Sequence, residues 1–368
     1  MKIIVAMDKF KGSCTSEQAA QAVIAGIQTK LPQAQTKYFP MSDGGEGFAA
    51  AHQQYLKTKT IHLTSCDPLG RKIKATYEWQ PQNKWAIIEL ATASGWALLN
   101  ERERNPMRTS TLGTGLLIIH ALKKGARKII LGLGGSATHD GGMGIAYALG
   151  FRCLDSDGNV LSPSGAALIY IRRILPPPTL PKIQWELCGD VNNPLFGKKG
   201  AAYTFAAQKG ATPAEVELLD QGLRNLAVQI KKHTGIQLAG IKGMGAAGGA
   251  MCFLHAYMKS TLHQGADWMI RLSGIEKSIK KANLLITGEG AIDEQSIGGK
   301  LISRLIPLAK THRVPIVLAC GKVIMTNKLY QQWKNIPILE LMQKAPSEKK
   351  AIQHPQPLLK KMIADFFS

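Results

Sequence analysis

The chain has 368 residues, of which 45% are hydrophobic, six cysteines and a formal net charge of +21. A length of this order suggests two domains, or one large α/β unit carrying an insertion. The charge is scattered, with no basic run interleaved with stacking aromatics, the cysteines form no Cys-x-x-Cys pair, and no stretch approaches about 18 uninterrupted apolar residues, so a nucleic-acid binder, a zinc or disulfide framework and a transmembrane protein are all disfavoured.

Lys2 to Met7 reads as a buried strand that meets Asp8 and Lys9 at once, too short an apolar run for a signal peptide. The expected location is the cytoplasm, where unpaired cysteines persist. Thr15 to Gln18 fits a capping box, followed by a helix face of Ala19, Ala20, Val23, Ile24 and Ile27. A strand near Lys37 to Phe39 and a helix from Phe48 to Leu56 complete a βαβα start, as in a parallel sheet covered by helices. The character changes near Thr60. Ile61–Thr64, Lys72–Trp79 and Trp85–Leu90 look like antiparallel strands separated by turn signals. A helix from about Thr111 to Lys124 leads to the strand Ile129–Leu131, then to a glycine-rich run over 132–144 and a helix from Ile145 to Leu149. Gln184–Cys188 is a further strand, and Thr212–His233 a long amphipathic helix opened by Thr212-Pro213. Lys281–Thr287 and Val314–Ala319 return to buried parallel-strand character. The expected organisation is a discontinuous parallel-sheet domain over 1–60 and 265–368, with a mixed α/β domain inserted over 61–264.

Glycines at a strand-to-helix junction let backbone N–H groups approach a ligand, and a helix N-terminus adds donors and partial positive charge. Gly134, Gly135, Ser136, Thr138 and Asp140 therefore form a candidate anion site, or else a turn that only allows close packing. Polar glycine-rich blocks recur after other strands, where open parallel sheets bind ligands. Asp43 and Glu46 flank two glycines and can hold Mg²⁺, hold a substrate hydroxyl, or simply shape the turn. Asp190, at the end of a strand, is a candidate general base or metal ligand, or else a turn residue. Glu289 and Asp293 offer two more carboxylates or a helix cap. Lys9 and Lys11 supply cations for a carboxylate or phosphate, or are solvated. Arg104 and Arg108 are anion-capable beside a helix that residues 109–111 can cap.

No Walker-type phosphate loop, protein-kinase signature or Gly-x-Ser-x-Gly elbow is present. Gly132-Leu133-Gly134-Gly135-Ser136-Ala137 matches a dinucleotide fingerprint, with Asp155 or Asp157 as the acidic residue expected downstream. An NAD-dependent oxidoreductase is thus an alternative of a different class.

Taken together, the blocks resemble the bacterial class I glycerate kinase family. The resemblance rests on Asp8-Lys9-Phe10-Lys11-Gly12-Ser13, Ser42-Asp43-Gly44-Gly45-Glu46-Gly47, Ala91-Thr92-Ala93-Ser94-Gly95, Thr111-Leu112-Gly113-Thr114-Gly115 and Gly134 to Thr138 with Asp140-Gly141-Gly142. It continues through Asp190 with Asn193-Pro194-Leu195, Gln208-Lys209-Gly210-Ala211, Gly245 to Gly249, and Thr287-Gly288-Glu289-Gly290 with Ile292-Asp293 and Gln295-Ser296. The departures are His139 for Asn, Ala206-Ala207 for Gly-Pro, Ala291 for Arg, and Leu301-Ile302 for Ala-Pro.

The resemblance implies a two-domain α/β fold, Rossmann- or flavodoxin-like in its parallel-sheet domain, with the active site in the cleft. It implies ATP-dependent phosphorylation of D-glycerate to 2-phosphoglycerate, or to 3-phosphoglycerate by the same kinase. Under it, Asp190 and Lys9 are catalytic, while Asp8, Lys11, Ser42, Asp43 and Glu46 bind substrate. Gly134, Gly135, Ser136, Thr138 and Asp140 bind ATP, and Glu289 and Asp293 bind Mg²⁺. The partner is a small molecule, with no nucleic acid and no membrane; the assembly state stays open.

Overall fold

The computed structural model describes residues 1–293, 296, 300–324, 326, 331–345 and 347–368. Gln295, part of one family-like block, lies outside the described residues. The strands in chain order are β1 Lys2–Met7, β2 Gln35–Tyr38, β3 Lys59–Cys66, β4 Lys72–Gln80, β5 Trp85–Glu89, β6 Lys128–Gly132, β7 Arg152–Leu154, β8 Arg173–Leu175, β9 Gln184–Gly189, β10 Thr261–Gln264, β11 Leu284–Gly288, β12 Ala291–Ile292, β13 Ile316–Cys320, β14 Lys322–Val323 and β15 Ile338–Glu340. They belong to two compact units, one made of residues 1–43 and 264–368, the other of 44–263.

The first unit carries a five-stranded sheet in the order β15-β13-β11-β1-β2, with every pairing parallel. Chain-distant strands meet in it, Ile3 lying opposite Leu284. The central strands β11 and β13 are buried at every position, which is why they read as continuous apolar runs, while β2 at the edge alternates. After β1, Thr15 caps the helix Ser16–Lys30: its hydroxyl accepts from Gln18 N at 3.1 Å, and the Gln18 side chain accepts from Thr15 N at 2.9 Å. That helix packs closely on Pro355–Phe366. A Cβ at Gly26 would sit 2.8 Å from Ile363 Cβ, so the crossing needs glycine there.

The second unit carries a six-stranded mixed sheet in the order β10-β9-β6-β5-β4-β3. Its β3, β4 and β5 are antiparallel neighbours, whereas β5, β6 and β9 run parallel. This mixture matches the change of pattern read near Thr60. In this division, however, the chain passes between units at 43/44, not at 60. The helix Phe48–Tyr55 explains the difference: Ala49 N donates to Glu89 Oε1 at 2.7 Å, so β5 holds that helix to the second sheet. The helix Pro213–Thr234 is capped by Thr212 with a reciprocal Glu215, and its apolar face joins the core around Leu168, Leu223 and Leu226.

Candidate functional site

In the first unit, acidic side chains gather where β1 and β11 end. Asp8 follows β1 directly; its N–H donates to Gly288 O at 2.8 Å, and its own Oδ1 accepts from Lys9 N at 2.8 Å. Glu289 follows β11. Both carboxylates are buried, at 5% and 6% exposure. Burial raises Asp8 well above the usual carboxylate range; the charge of Asp43 adds to the rise, Lys9 opposes it, and Glu289 adds further. Burial also raises Glu289, against the pull of Lys300, whose Nζ lies 3.0 Å from Oε2. Burial alone would lower Lys300, but Glu289, Asp293 and Asp43 outweigh it and hold the ammonium above its ordinary value. The other oxygen of Glu289, Oε1, is buried and has no hydrogen-bond partner among the described residues, although Ser296 lies near enough to lower the Glu289 pKa. A crowded set of like charges with an orphaned oxygen suits a cation. Among the described residues, no group of three or more His, Cys, Asp or Glu side chains is close enough to cage a metal alone.

The remaining residues expected in this unit fall into different settings. Lys9 is half-buried, Lys11 exposed, Ser42 buried and Asp43 half-buried. Asp293 is turned to its own loop: Ser296 N donates to Asp293 Oδ1 at 3.2 Å, and Ser296 Oγ lies 3.1 Å from Asp293 N. Of the two residues expected to bind metal, Glu289 therefore has the oxygen to spare. Ala291, where the family has Arg, is exposed at the start of β12.

In the second unit, β6 ends in the glycine-rich loop and β9 ends at Asp190, in adjacent positions. Leu133 N donates to Cys188 O at 2.9 Å and Gly134 N to Gly44 O at 3.0 Å. A Cβ at Gly134 would overlap Gly45 Cα, so this approach requires glycine. Gly135 takes φ +74°. The other side of the loop is stitched to residues 94–96: Ala137 N donates to Ser94 O at 2.9 Å and Trp96 N to Gly135 O at 3.1 Å. The N–H groups of Gly135 and Ser136 donate to no acceptor among the described residues, and Gly135 is exposed. These are the donors the loop can offer an anion. Asp190 is half-buried, and Glu46, expected to bind substrate, is exposed in this unit.

Asp140 is not free to join a ligand site. Fully buried, it accepts from Thr111 N at 2.7 Å, Thr111 Oγ1 at 2.8 Å, Gly144 N at 3.0 Å and Gly142 N at 3.1 Å. Burial raises its pKa against these bonds. Asp140 thus accepts from the backbone at the start of the helix Met143–Ala148, the terminus expected to receive phosphate. Of residues 109–111, expected to cap Leu112–Lys123, Ser110 Oγ accepts from Leu112 N at 3.2 Å, whereas Thr111 Oγ1 donates to Asp140 and accepts from Ile145 N at 3.0 Å. His139 is fully buried, neither ring nitrogen has a hydrogen-bond partner among the described residues, and burial, with the charge of Lys209, drives its pKa well below the ordinary value.

Lys209 is the residue the sequence reading passed over. It is 8% exposed, and its Nζ donates to Ser136 Oγ and to Thr138 O, each at 2.8 Å. Burial lowers its pKa to about 7, against the favourable charge of Asp140. Only its place in the block Gln208 to Ala211 marked it in the sequence; nothing local announces a buried lysine.

The dinucleotide reading fails on its acidic partner. Asp155 accepts from Asp157 N and Asn159 N, both at 2.9 Å, in an exposed turn that fixes its own backbone. The second glycine run, 243–249, packs beneath the first loop: a Cβ at Gly248 would sit 2.5 Å from Thr138 O and from His139 Cα.

The fold and these strand ends define an α/β protein with an anion-ready backbone loop in one unit and a cation-ready acidic cluster in the other. Residues 3–368 match the model of the glycerate kinase family. The chain is 39% identical over 324 residues to a glycerate kinase of Halalkalibacterium halodurans, covering 87% of this chain and 85% of that protein. It is 37% identical over 326 residues to the glycerate 2-kinase of Escherichia coli, covering 88% and 86%. A crystal structure from Salmonella typhimurium LT2, provisionally named glycerate kinase 2, superposes with a TM-score of 0.80 at 33% identity, covering 100% of this chain and 97% of that one. The chain belongs to the glycerate kinase family. The oxidoreductase alternative is set aside.

Proposed function

We propose that the chain transfers a phosphoryl group from ATP to D-glycerate, giving 2-phosphoglycerate. The choice of hydroxyl leans on the name of the Escherichia coli relative. The observation that carries the chemistry is the free N–H pair at Gly135 and Ser136, backed by a buried lysine, in a chain whose other strand ends gather Asp8, Asp43 and Glu289. Phosphoryl transfer depends on positioning and charge neutralisation more than on covalent help.

Gly134 to Thr138 cradle the phosphates of ATP through backbone N–H groups. Asp190 orients the attacking hydroxyl and accepts its proton. Lys9, with Lys11, pairs the glycerate carboxylate, and Ser42, Asp43 and Asp8 hold its hydroxyls; Glu46 is a weaker partner because it is exposed. Mg²⁺, when bound, supplies charge neutralisation on the phosphate oxygens. Glu289 holds it, directly or through water, with Asp293 in support. The enzyme acts in the cytoplasm, with a small molecule as its partner.

The test is incubation with ATP, Mg²⁺ and D-glycerate, followed by phosphorus NMR of the product. A 2-phosphoglycerate signal is expected. A 3-phosphoglycerate signal keeps the kinase and overturns the choice of hydroxyl; no phosphorylated product overturns the reading.

A further inference from the structure

Besides Thr109 Oγ1, which donates to Ala137 O at 2.9 Å, the loop 134–138 has three holds, and only one of them comes from a basic side chain. Backbone bonds tie its start to Gly44 and Cys188, and further backbone bonds tie Gly135 and Ala137 to residues 94–96. The third hold is Lys209, which bridges the loop from Ser136 Oγ to Thr138 O. Those two acceptors flank Ala137, and the N–H of Ser136 is one of the two left without a protein acceptor among the described residues. That N–H shares its peptide plane with Gly135 O, which Trp96 N holds, while the lysine bridge anchors the side chain of Ser136 and the chain at Thr138 just beyond it.

Lys209 is itself fixed. It ends a short turn, Ala207–Lys209, closed by Gly210 at φ +97°. A Cβ at Gly210 would overlap the Arg104 carbonyl oxygen, so the backbones of 104 and 210 touch. The Arg104 guanidinium in turn lies over the Trp96 ring, 4.7 Å from its centroid, and Trp96 N is the group that holds Gly135 O. The two basic side chains thus bracket the loop from its two ends. The carboxylate nearest to Lys209 in charge, Asp140, spends its oxygens on Thr111, Gly142 and Gly144, so the Lys209 Nζ is directed at the loop.

We propose that Lys209 is a positioning residue for the nucleotide phosphates: by bridging Ser136 and Thr138 it anchors the loop in the fold that presents the Gly135 and Ser136 N–H groups, and it does this without contact to the acceptor substrate. The proposal rests on the kinase reading for its nucleotide, and its test separates the two.

ATP binding to the full-length protein is measured by calorimetry without glycerate, for the parent and for Lys209→Met, and steady-state kinetics are run on both. Thermal unfolding confirms that the variant is folded. The expected result is an ATP dissociation constant and an ATP KM raised at least tenfold in Lys209→Met, with the glycerate KM unchanged within twofold. Ser136→Ala, which removes one of the two acceptors, falls between parent and Lys209→Met. A purely structural lysine would lower kcat through loss of active protein and leave both KM values alone, and that result overturns the proposal. A parent that binds ATP but does not phosphorylate glycerate sinks the acceptor reading, and the binding comparison still decides the role of Lys209. A parent that binds no ATP overturns both.

Should Lys209→Met fail to fold, Lys209→Arg and Ser136→Ala carry the same comparison. Arginine keeps the charge but changes the donor geometry, so a weakened ATP affinity is expected, and parent-like affinity in both variants overturns the proposal.

Discussion

Both units end their parallel strands in glycine-containing turns, but with opposite chemistry. In the first, Asp8 and Glu289 are buried beside Asp43 at the ends of β1 and β11, and their charges resist one another. In the second, β6 ends in backbone N–H donors, and the buried carboxylate there, Asp140, is saturated by five donors, among them Ser110 Oγ at 3.4 Å. A carboxylate in a glycine turn is thus two different things. Where backbone N–H groups surround it, it is scaffold. Where other carboxylates surround it, it stores unfavourable charge that a cation would relieve.

The comparison can be broken most sharply at Asp190, the carboxylate that closes β9 beside the glycine loop. If it handles the attacking hydroxyl, Asp190→Asn lowers kcat by about 10²–10⁴-fold, the range of general-base contributions. Because the residue is half-buried, unfolding should be unchanged. Near-parent turnover would remove Asp190 from that role.

A second test asks whether the acidic cluster is strained. Asp8 has a raised pKa in the folded protein, so its contribution to stability is full below the unfolded carboxylate pKa and is lost as the pH climbs through the raised value. At neutral pH, Asp8→Asn should therefore stabilise the ligand-free protein, by about 2–4 °C in Tm if the relief is about 1 kcal/mol. The same variant should bind glycerate more weakly. The matching change at Asp140 should do the reverse and destabilise, since an amide offers one acceptor oxygen where two carboxylate oxygens now take five donors. Equal signs at the two positions, read by thermal unfolding, would erase the distinction drawn between the two strand ends.

Lys209 sharpens the comparison from the cationic side. Its pKa falls from an unfolded value near 10.4 to about 7. The folded protein then binds fewer protons across that window, so stability from this group is full above the unfolded pKa and is lost as the pH falls toward 7. His139, neutral and buried, and Asp140, locked by its donors, are the groups beside it. Urea unfolding of parent and Lys209→Met between about pH 7.5 and 9.5 should show the parent gaining on the variant by up to about 1.4 kcal/mol per pH unit. A difference that does not vary with pH would mean that Lys209 stays charged throughout.

Much of this frame was legible in the chain. The runs 2–7, 284–288 and 316–320 are apolar because both faces of a parallel strand are covered, and Thr15 with Gln18 announced its helix by two reciprocal bonds. The site was legible as a set of blocks but not as a set of roles. A glycine-Asp sequence looks the same whether the carboxylate meets ligand or backbone, and only the partners of Asp140, brought from residues 111 and 144, decide it. Lys209 was hidden for a similar reason: its acceptors lie 71 and 73 residues away. The passage between units at 43/44 depends on Glu89, which no local pattern connects to the helix after Gly47.

The central claim is the proposed transfer of a phosphoryl group from ATP to D-glycerate, and the direct measurement is phosphorus NMR of the products formed from ATP and D-glycerate in the presence and absence of Mg²⁺. The account predicts ADP and 2-phosphoglycerate, formed in equal amounts and only when Mg²⁺ and D-glycerate are both present. Undiminished transfer without a divalent cation would contradict the role given to the acidic cluster, and ADP without any phosphorylated glycerate would contradict the function itself.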